Sequence, residues 1–235
     1  MGPGPARNRG ITTSSRRYVV LLDDDDELAP GALHTIAGAI RSFPNHAQYP
    51  VFQFGHGNAV LADPFRVIRL DDYLSGVLKG DFLPVVDRER FQAMGFAYPD
   101  VRVGAEHLLW WEIADKVGIP TWAEKVCVLH ADAPIRLTDP RNQIARAKEY
   151  AEMQELTLDR FGEVLAARFP AEYRTRRLGA ATYWMLAGDR RRAREHLADL
   201  SKDGGGALVL ALRALSYAPR PVVRWAFRMY RRSTG

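Results

Sequence analysis

The chain has 235 residues and a formal net charge of +5, and 47% of its residues are apolar, which indicates a globular rather than a disordered protein. The single Cys127 excludes a disulfide framework and any cysteine-based zinc site. No apolar stretch reaches the roughly 18 residues of a membrane-spanning helix, and the N-terminus has no apolar signal core. A cytoplasmic protein is therefore the default expectation.

The first predicted element is a short buried strand in RYVVLLDDDD, residues 17–26, which ends in four aspartates. Adjacent carboxylates repel one another, so this turn is either solvated or compensated by a cation. Side chains alternate along an extended strand, which lets Asp23 and Asp25 point the same way. Two such carboxylates would suit Mg²⁺ or Mn²⁺. The residues of this stretch leave both alternatives open.

Helix then alternates with strand up to about residue 130. We predict a helix that starts near Pro30, a strand with a glycine turn, a helix from Glu106 to Gly118, and a further strand; the four stretches are residues 29–43, 48–61, 106–118 and 121–130. This alternation indicates an α/β domain with a largely parallel or mixed sheet.

From about Pro140 the pattern becomes helical, with predicted helices in residues 141–169 and 180–204. The second stretch breaks at Gly188-Asp189 into a helical hairpin that resembles one tetratricopeptide-type unit. We therefore expect two domains, a partial α/β domain at residues 1–138 and a helical C-terminal region at residues 139–235.

The C-terminal region is strongly basic. Residues 171–235 hold 14 Lys and Arg against five Asp and Glu, an excess of +9, which leaves −4 on the rest of the chain. The last stretch, PRPVVRWAFRMYRRSTG, predicts an amphipathic helix that interleaves arginines with aromatic residues. Two alternatives stay open: peripheral contact with an anionic membrane at its inner face, or packing onto the parent domain.

Three stretches together resemble a known family. They are PGPARNRGI with RRYVVLLDDDDELAPGAL, then GDFLPVVDRERFQAMGF, then VGAEHLLWWEIADKVG. The first stretch resembles the Ala-Arg-Asn-x-Gly and Asp-x-Asp-Asp motifs of the family 2 glycosyltransferases of the GT-A fold. The last resembles the acceptor-side motif of the same family, and the middle one resembles the residues that lead into it. The resemblance covers roughly residues 3–130, and it implies a GT-A-like mixed sheet flanked by helices, followed here by a helical extension.

The resemblance implies roles at the donor side of the site. Asp25 would ligate the divalent ion, and Asp23 would lie near the donor ribose or in the shell of the metal. Arg7, Asn8 and Asp24 would help to hold a nucleotide-diphospho-sugar. The alternative for Arg7 and Asn8 is that they are surface loop residues with no role in donor binding.

On the acceptor side, the resemblance makes Glu106 the general base and implies inversion at the anomeric carbon. A helix-capping role for Glu106 is the alternative.

Trp110 and Trp111 would be either packing residues or platforms for a sugar ring. His130 would be either a third metal ligand or a structural histidine. His56 and His107 are expected at the surface or in loops.

The chain departs from the family pattern at its start. Only 17 residues precede the strand at Tyr18, whereas the family has further nucleotide-binding strands there, so we expect an N-terminally truncated chain.

The leading interpretation is a metal-dependent glycosyltransferase with a glycan, lipid-linked or other hydroxyl acceptor. The alternative is an inactive relic that acts as a binding or scaffold protein through its basic tail. Nucleic acid is not an expected partner, because the arginines match no recognised motif.

Overall fold

The structure is a computed structural model that describes residues 2–24, 26–128, 140–202 and 206–234. The chain divides into two compact units, Met1–Asp100 with Gly104–Pro134, and Val101–Val103 with Ile135–Gly235. The first contains a mixed sheet flanked by helices and the second is helical. The predicted mixed α/β class with a helical extension is therefore confirmed. Among the described helices, none combines the length and apolarity that a bilayer crossing requires.

Helices and short strands alternate through the first unit. Its helices are α1 (Pro3–Thr13), α2 (Ala32–Ser42), α3 (Leu70–Leu74), α4 (Arg88–Ala93) and α5 (Glu106–Lys116). Its strands are β1 (Tyr18–Val20), β2 (Glu27–Leu28), β3 (Val51–Gly55), β4 (Phe65–Ile68), β5 (Phe82–Asp87), β6 (Ile119–Lys125) and β7 (Cys127–Val128).

The main sheet of this unit has the strand order β1-β5-β3-β6-β4. Among the described strands of this sheet, the β3–β6 pair is parallel and the other neighbouring pairs are antiparallel. The short strands β2 and β7 form a separate antiparallel pair. The sheet is therefore mixed, one of the two predicted arrangements.

The core of the first unit is built around β3, whose five residues are all buried. A strand in the middle of a sheet with both faces covered carries a continuous apolar run, and β3 follows this rule except at Gln53. Phe54 stacks on Trp122 of β6 with ring centroids 4.9 Å apart. On the other face, Val51 packs with Ile113 of α5. These contacts fix β3, β6 and α5 relative to one another.

Several boundaries differ from the sequence prediction. The strand expected at 48–61 is only Val51–Gly55, and the one expected at 121–130 is split into β6 and β7. The helix α1 was not predicted, because PGPARNRGITT contains two Pro, two Gly and two Thr, which are poor helix formers. Its Pro3 at the first helical position is favourable, since that residue needs no hydrogen-bond donor.

The second unit consists of packed helices. They are α6 (Pro140–Ala145), α7 (Ala147–Arg168), α8 (Pro170–Ala187), α9 (Arg190–Lys202), α10 (Gly206–Leu215) and α11 (Arg220–Thr234). The predicted break of the hairpin is confirmed: Gly188 ends α8 with a φ of 98°, a conformation that favours glycine.

The last helix, α11, packs on this unit through one face. Val223 is buried in the same apolar cluster as Trp184, and Phe227 packs against that cluster. The Arg220 guanidinium donates a hydrogen bond to the carbonyl of Leu186 over 3.2 Å. The amphipathic helix expected from the sequence is thus present, and it is docked onto its own unit.

Candidate active site

An open cleft of about 480 Å³ lies in the first unit, a volume within the usual range for small-molecule sites. It is lined by residues that follow β1 and β3, by β5, and by the starts of α1 and α5; the polar members are Arg7, Asp23, Asp26, Gln53, His56, Tyr73, Asp81, Tyr98 and Glu106. Three of the residues predicted to form the site, Arg7, Asp23 and Glu106, are among them.

Arg7 joins two acids that are distant in the sequence. One guanidinium nitrogen donates to Glu106 Oε1 over 2.6 Å, and another donates to Asp23 Oδ1 over 2.7 Å. The guanidinium also lies 5.5 Å from the centre of the Tyr98 ring. A planar fork of donors is well suited to bridging two carboxylates in this way.

These contacts determine the charge of Arg7. Burial alone would lower the pKa of Arg7, but the hydrogen bond and charge of Asp23, together with those of Glu106, raise that pKa above its usual value. Arg7 is therefore a permanent cation in the cleft. The cleft remains acidic, because the described lining residues include four carboxylates, Asp23, Asp26, Asp81 and Glu106.

The helix that carries Arg7 is held by its neighbour Asn8. The side-chain amide of Asn8 donates to the Tyr98 carbonyl over 2.9 Å, and its oxygen accepts from the Tyr98 amide over 2.8 Å. Gly4 allows the close approach, since a Cβ there would lie 2.5 Å from the Pro99 carbonyl oxygen. Asn8 therefore positions α1 in this structure, while its contact with a donor remains a prediction.

The four aspartates are distributed unevenly around the turn. Asp23 and Asp26 line the cleft, whereas Asp24 is exposed and is not among the described lining residues. Asp25, the predicted principal metal ligand, lies outside the described residues, as does His130. The donor role of Asp24 stays a prediction that no contact in the cleft supports.

Two histidines differ from their expected positions. His56 was expected at the surface, but it is 5% exposed and lines the cleft, because β3 ends one residue earlier at Gly55. His107 was also expected at the surface or in a loop; it lies within α5 with its ring against Trp111. The glycines on both sides of His56 suggested a loop, and the sequence contained no signal that this loop turns inward.

Aromatic and amide side chains complete the cleft wall. Trp111 is buried, as expected of a packing residue, whereas Trp110 lines the cleft and meets Tyr98 edge-on with ring centroids 5.5 Å apart. The Tyr73 hydroxyl donates to Gln53 Oε1 over 2.9 Å. Burial raises the pKa of both Tyr73 and Tyr98, so both phenols are neutral at physiological pH.

Comparison with known proteins agrees with the first motif. The family model described as glycosyl transferase family 2 matches residues 1–73, a segment that includes Arg7, Asn8 and the four aspartates. Residues 1–73 are thus similar to family 2 glycosyltransferases. Glu106 and the rest of α5 lie outside the matched residues.

The crystal structure of S. aureus TarS 1–349 is similar with a TM-score of 0.47 and 12% sequence identity, over 97% of this chain and 71% of that chain. No curated protein matches the sequence.

Proposed function

We propose that the cleft transfers a sugar from a nucleotide-diphospho-sugar to an acceptor hydroxyl. The observation that carries this proposal is the double ion pair of Arg7 with Asp23 and Glu106 inside a cleft that the family 2 segment helps to build. In the proposed reaction the acceptor oxygen forms a bond to the anomeric carbon, the bond to the diphosphate breaks, and the acceptor proton passes to Glu106.

A divalent cation fits the charge of this cleft. Among the described lining residues, four carboxylates face one arginine that two of them already share. A diphosphate would therefore meet net negative charge without a further cation. Asp23, together with Asp25, would hold Mg²⁺ or Mn²⁺. Such an ion neutralises the charge that develops on the departing diphosphate.

Arg7 would change partners when the donor binds. In the structure it engages the carboxylate that is proposed as the base, at 2.6 Å. A diphosphate offers the same guanidinium a more highly charged set of oxygens. Movement of Arg7 to the phosphates would leave Glu106 free to accept the proton of the acceptor, so the base becomes available only after the donor has bound. One direct displacement with one base inverts the anomeric carbon.

Binding of a nucleoside diphosphate provides the test of this proposal. We expect the chain to bind at least one of UDP, GDP, CDP or dTDP in the presence of Mn²⁺ or Mg²⁺, measured by calorimetry, and binding to weaken when EDTA is added. Arg7→Met should weaken that binding by about 10- to 100-fold, since hydrogen bonds to charged groups contribute roughly 1.5–3 kcal/mol.

Arg9→Met on the same helix is the matched control, because Arg9 is exposed and does not line the cleft. We expect it to bind like the unmodified chain. Equal affinities for Arg7→Met and Arg9→Met would contradict the role of Arg7. Metal-dependent binding with no transfer to any acceptor would instead favour the inactive binding protein.

We further propose that α11 brings the protein to an anionic membrane surface. Val222, Trp225 and Met229 lie three and four residues apart, so they share one face of the helix, and all three are exposed, Trp225 at 63%. Val223 and Phe227 already occupy the face that packs on the unit. The exposed stripe with the nearby exposed Arg228 suits the interface of a bilayer.

Vesicle flotation tests this contact. We expect binding to phosphatidylserine-containing vesicles and little binding to pure phosphatidylcholine. Arg228→Gln should weaken the binding by about fivefold, since one arginine near an anionic surface contributes about 1 kcal/mol. Trp225→Gln should weaken it further. Leu33→Gln is the control, because Leu33 is 60% exposed but lies on α2. Unchanged flotation of Trp225→Gln would rule out α11 as the contact.

A further inference from the structure

Three side chains with metal-ligand chemistry meet at one margin of the cleft. A carboxylate oxygen of Asp26, a ring nitrogen of His56 and the sulfur of Cys127 all lie within 4.8 Å of one another. In a tetrahedral zinc site, ligand atoms of these types are about 3.4–3.6 Å apart, given metal–ligand bonds of about 2.0–2.3 Å. Side-chain movements of about 1 Å would close the three groups around one ion.

The backbone holds these three residues together. Asp26 immediately precedes β2, whose Leu28 pairs with Cys127 of β7. The amide of Val126 donates to the carbonyl of Gly55 over 3.0 Å, which ties the start of β7 to the residue before His56. The potential ligands therefore sit on strand ends joined by hydrogen bonds, where sites are held more firmly than on free loops.

His56 provides an independent sign of a ligand. It is 5% exposed, and neither ring nitrogen has a hydrogen-bond partner within the described parts of the chain. Its Nε2 lies 3.0 Å from Asp26 Oδ2, but that contact does not have hydrogen-bond geometry. A buried polar group without a partner costs roughly 1–3 kcal/mol. A metal ion between the imidazole and the carboxylate would compensate this cost.

The identity of the donor atoms selects the class of ion. A thiolate and an imidazole favour Zn²⁺ and similar transition metals, whereas Mg²⁺ prefers oxygen ligands alone. The sequence excluded a cysteine-based zinc site because the chain has a single cysteine. The number of cysteines does not reveal that the fold brings a histidine and an aspartate next to Cys127.

We propose that Asp26, His56 and Cys127 form a binding site for one Zn²⁺-class ion. Binding replaces the thiol proton with the metal and releases that proton to solvent, which leaves a thiolate–metal bond. Asp26 and His56 line the cleft, whereas Cys127 is buried and is not among the described lining residues. An ion held by these residues would therefore be reachable from the cleft, and an exogenous ligand could complete its coordination, as in other zinc sites with three protein ligands. The site is distinct from the oxygen site proposed at Asp23 and Asp25, and it does not depend on sugar transfer.

Cobalt is the probe that tests the sulfur ligand directly. Titration of the full chain with Co²⁺ alone, without nucleotide, should produce a thiolate-to-cobalt charge-transfer band in the near ultraviolet together with the visible bands of a four-coordinate ion. Zn²⁺ should displace the cobalt, and excess Mg²⁺ should not. Cys127→Ala should abolish the charge-transfer band.

Zinc affinity, measured by competition with a chromogenic chelator, tests the other two ligands. His56→Gln and Asp26→Asn should each weaken Zn²⁺ binding by at least about 10- to 100-fold. Substitution of residues that only hydrogen-bond to metal ligands already weakens metal binding by about that much, and loss of a ligand should cost no less. His34→Gln and Asp63→Asn are the controls, since both residues are exposed and neither lies in the cluster. Thermal unfolding of each metal-free variant identifies any that do not fold.

The proposal is overturned if the charge-transfer band does not form, or if it survives in Cys127→Ala. It is also overturned if folded His56→Gln and Asp26→Asn bind Zn²⁺ within threefold of the unmodified chain. In that case Asp26 and His56 are not zinc ligands.

Discussion

Glu106→Gln is expected to lower the rate of sugar transfer by about 10²- to 10⁴-fold, the range typical of general-base catalysis. The substitution keeps the size of the side chain but removes the proton acceptor. Glu106 stands at the first residue of α5, so the helix holds its carboxylate against the cleft. Affinity for the nucleoside diphosphate should change little, since in the proposed function Arg7 and the aspartates bind the donor. Steady-state transfer rates and calorimetric binding constants, measured on the same preparations, separate the two effects.

Glu112→Gln on the same helix is the matched control. Glu112 forms an ion pair with Lys116 one turn later and is not among the residues lining the cleft, so its loss should leave the transfer rate within about twofold. Transfer by Glu106→Gln within a few-fold of the unmodified chain would reject Glu106 as the base. A collapse of donor affinity along with the rate would assign it a structural role through Arg7.

Phe54→Ala is expected to reduce the free energy of unfolding of the first unit by about 3–5 kcal/mol. Phe54 is fully buried in the central strand β3 and stacks on Trp122, so its removal leaves a cavity between two strands that cannot close without moving the sheet. Hydrogen exchange of the β3, β5 and β6 amides measures the loss in this unit by itself.

Leu33→Ala provides the comparison for Phe54→Ala. Leu33 is 60% exposed on α2, and its truncation should change the same free energy by less than about 0.5 kcal/mol. A loss below about 1 kcal/mol for Phe54→Ala would show that the sheet does not depend on this stack.

The sequence was informative where a local pattern coincided with a buried element. The helix α5 was predicted almost to its ends, and α2 and the break at Gly188 were also predicted. The resemblance to family 2 glycosyltransferases singled out Arg7, Asp23 and Glu106, and the fold brings these three together. Their proposed roles in catalysis stay predictions.

Other features depended on contacts that local patterns do not encode. The strand β5 contains Pro84, which argues against a strand between two neighbours, yet β5 lies between β1 and β3. The helix α1 has weak intrinsic propensity and is held by the contact of Asn8 with Tyr98, 90 residues later. The inward position of His56 likewise depends on distant partners. Its amide donates to the Asp81 carbonyl over 3.1 Å, and the Val126 amide donates to the carbonyl of the preceding Gly55 over 3.0 Å.

The order of strands in the main sheet bears on how the protein is made. The strand β6 lies between β3 and β4, although it is synthesised after both. During translation β3 can pair with β5, but β4 has no neighbour in this sheet until Lys125 has left the ribosome. Unpaired strand edges invite association with other chains, and late non-local pairing is slow. The nascent first unit therefore passes through a long interval with an open β3 edge, in which a chaperone that covers extended apolar segments would raise the yield of folded protein.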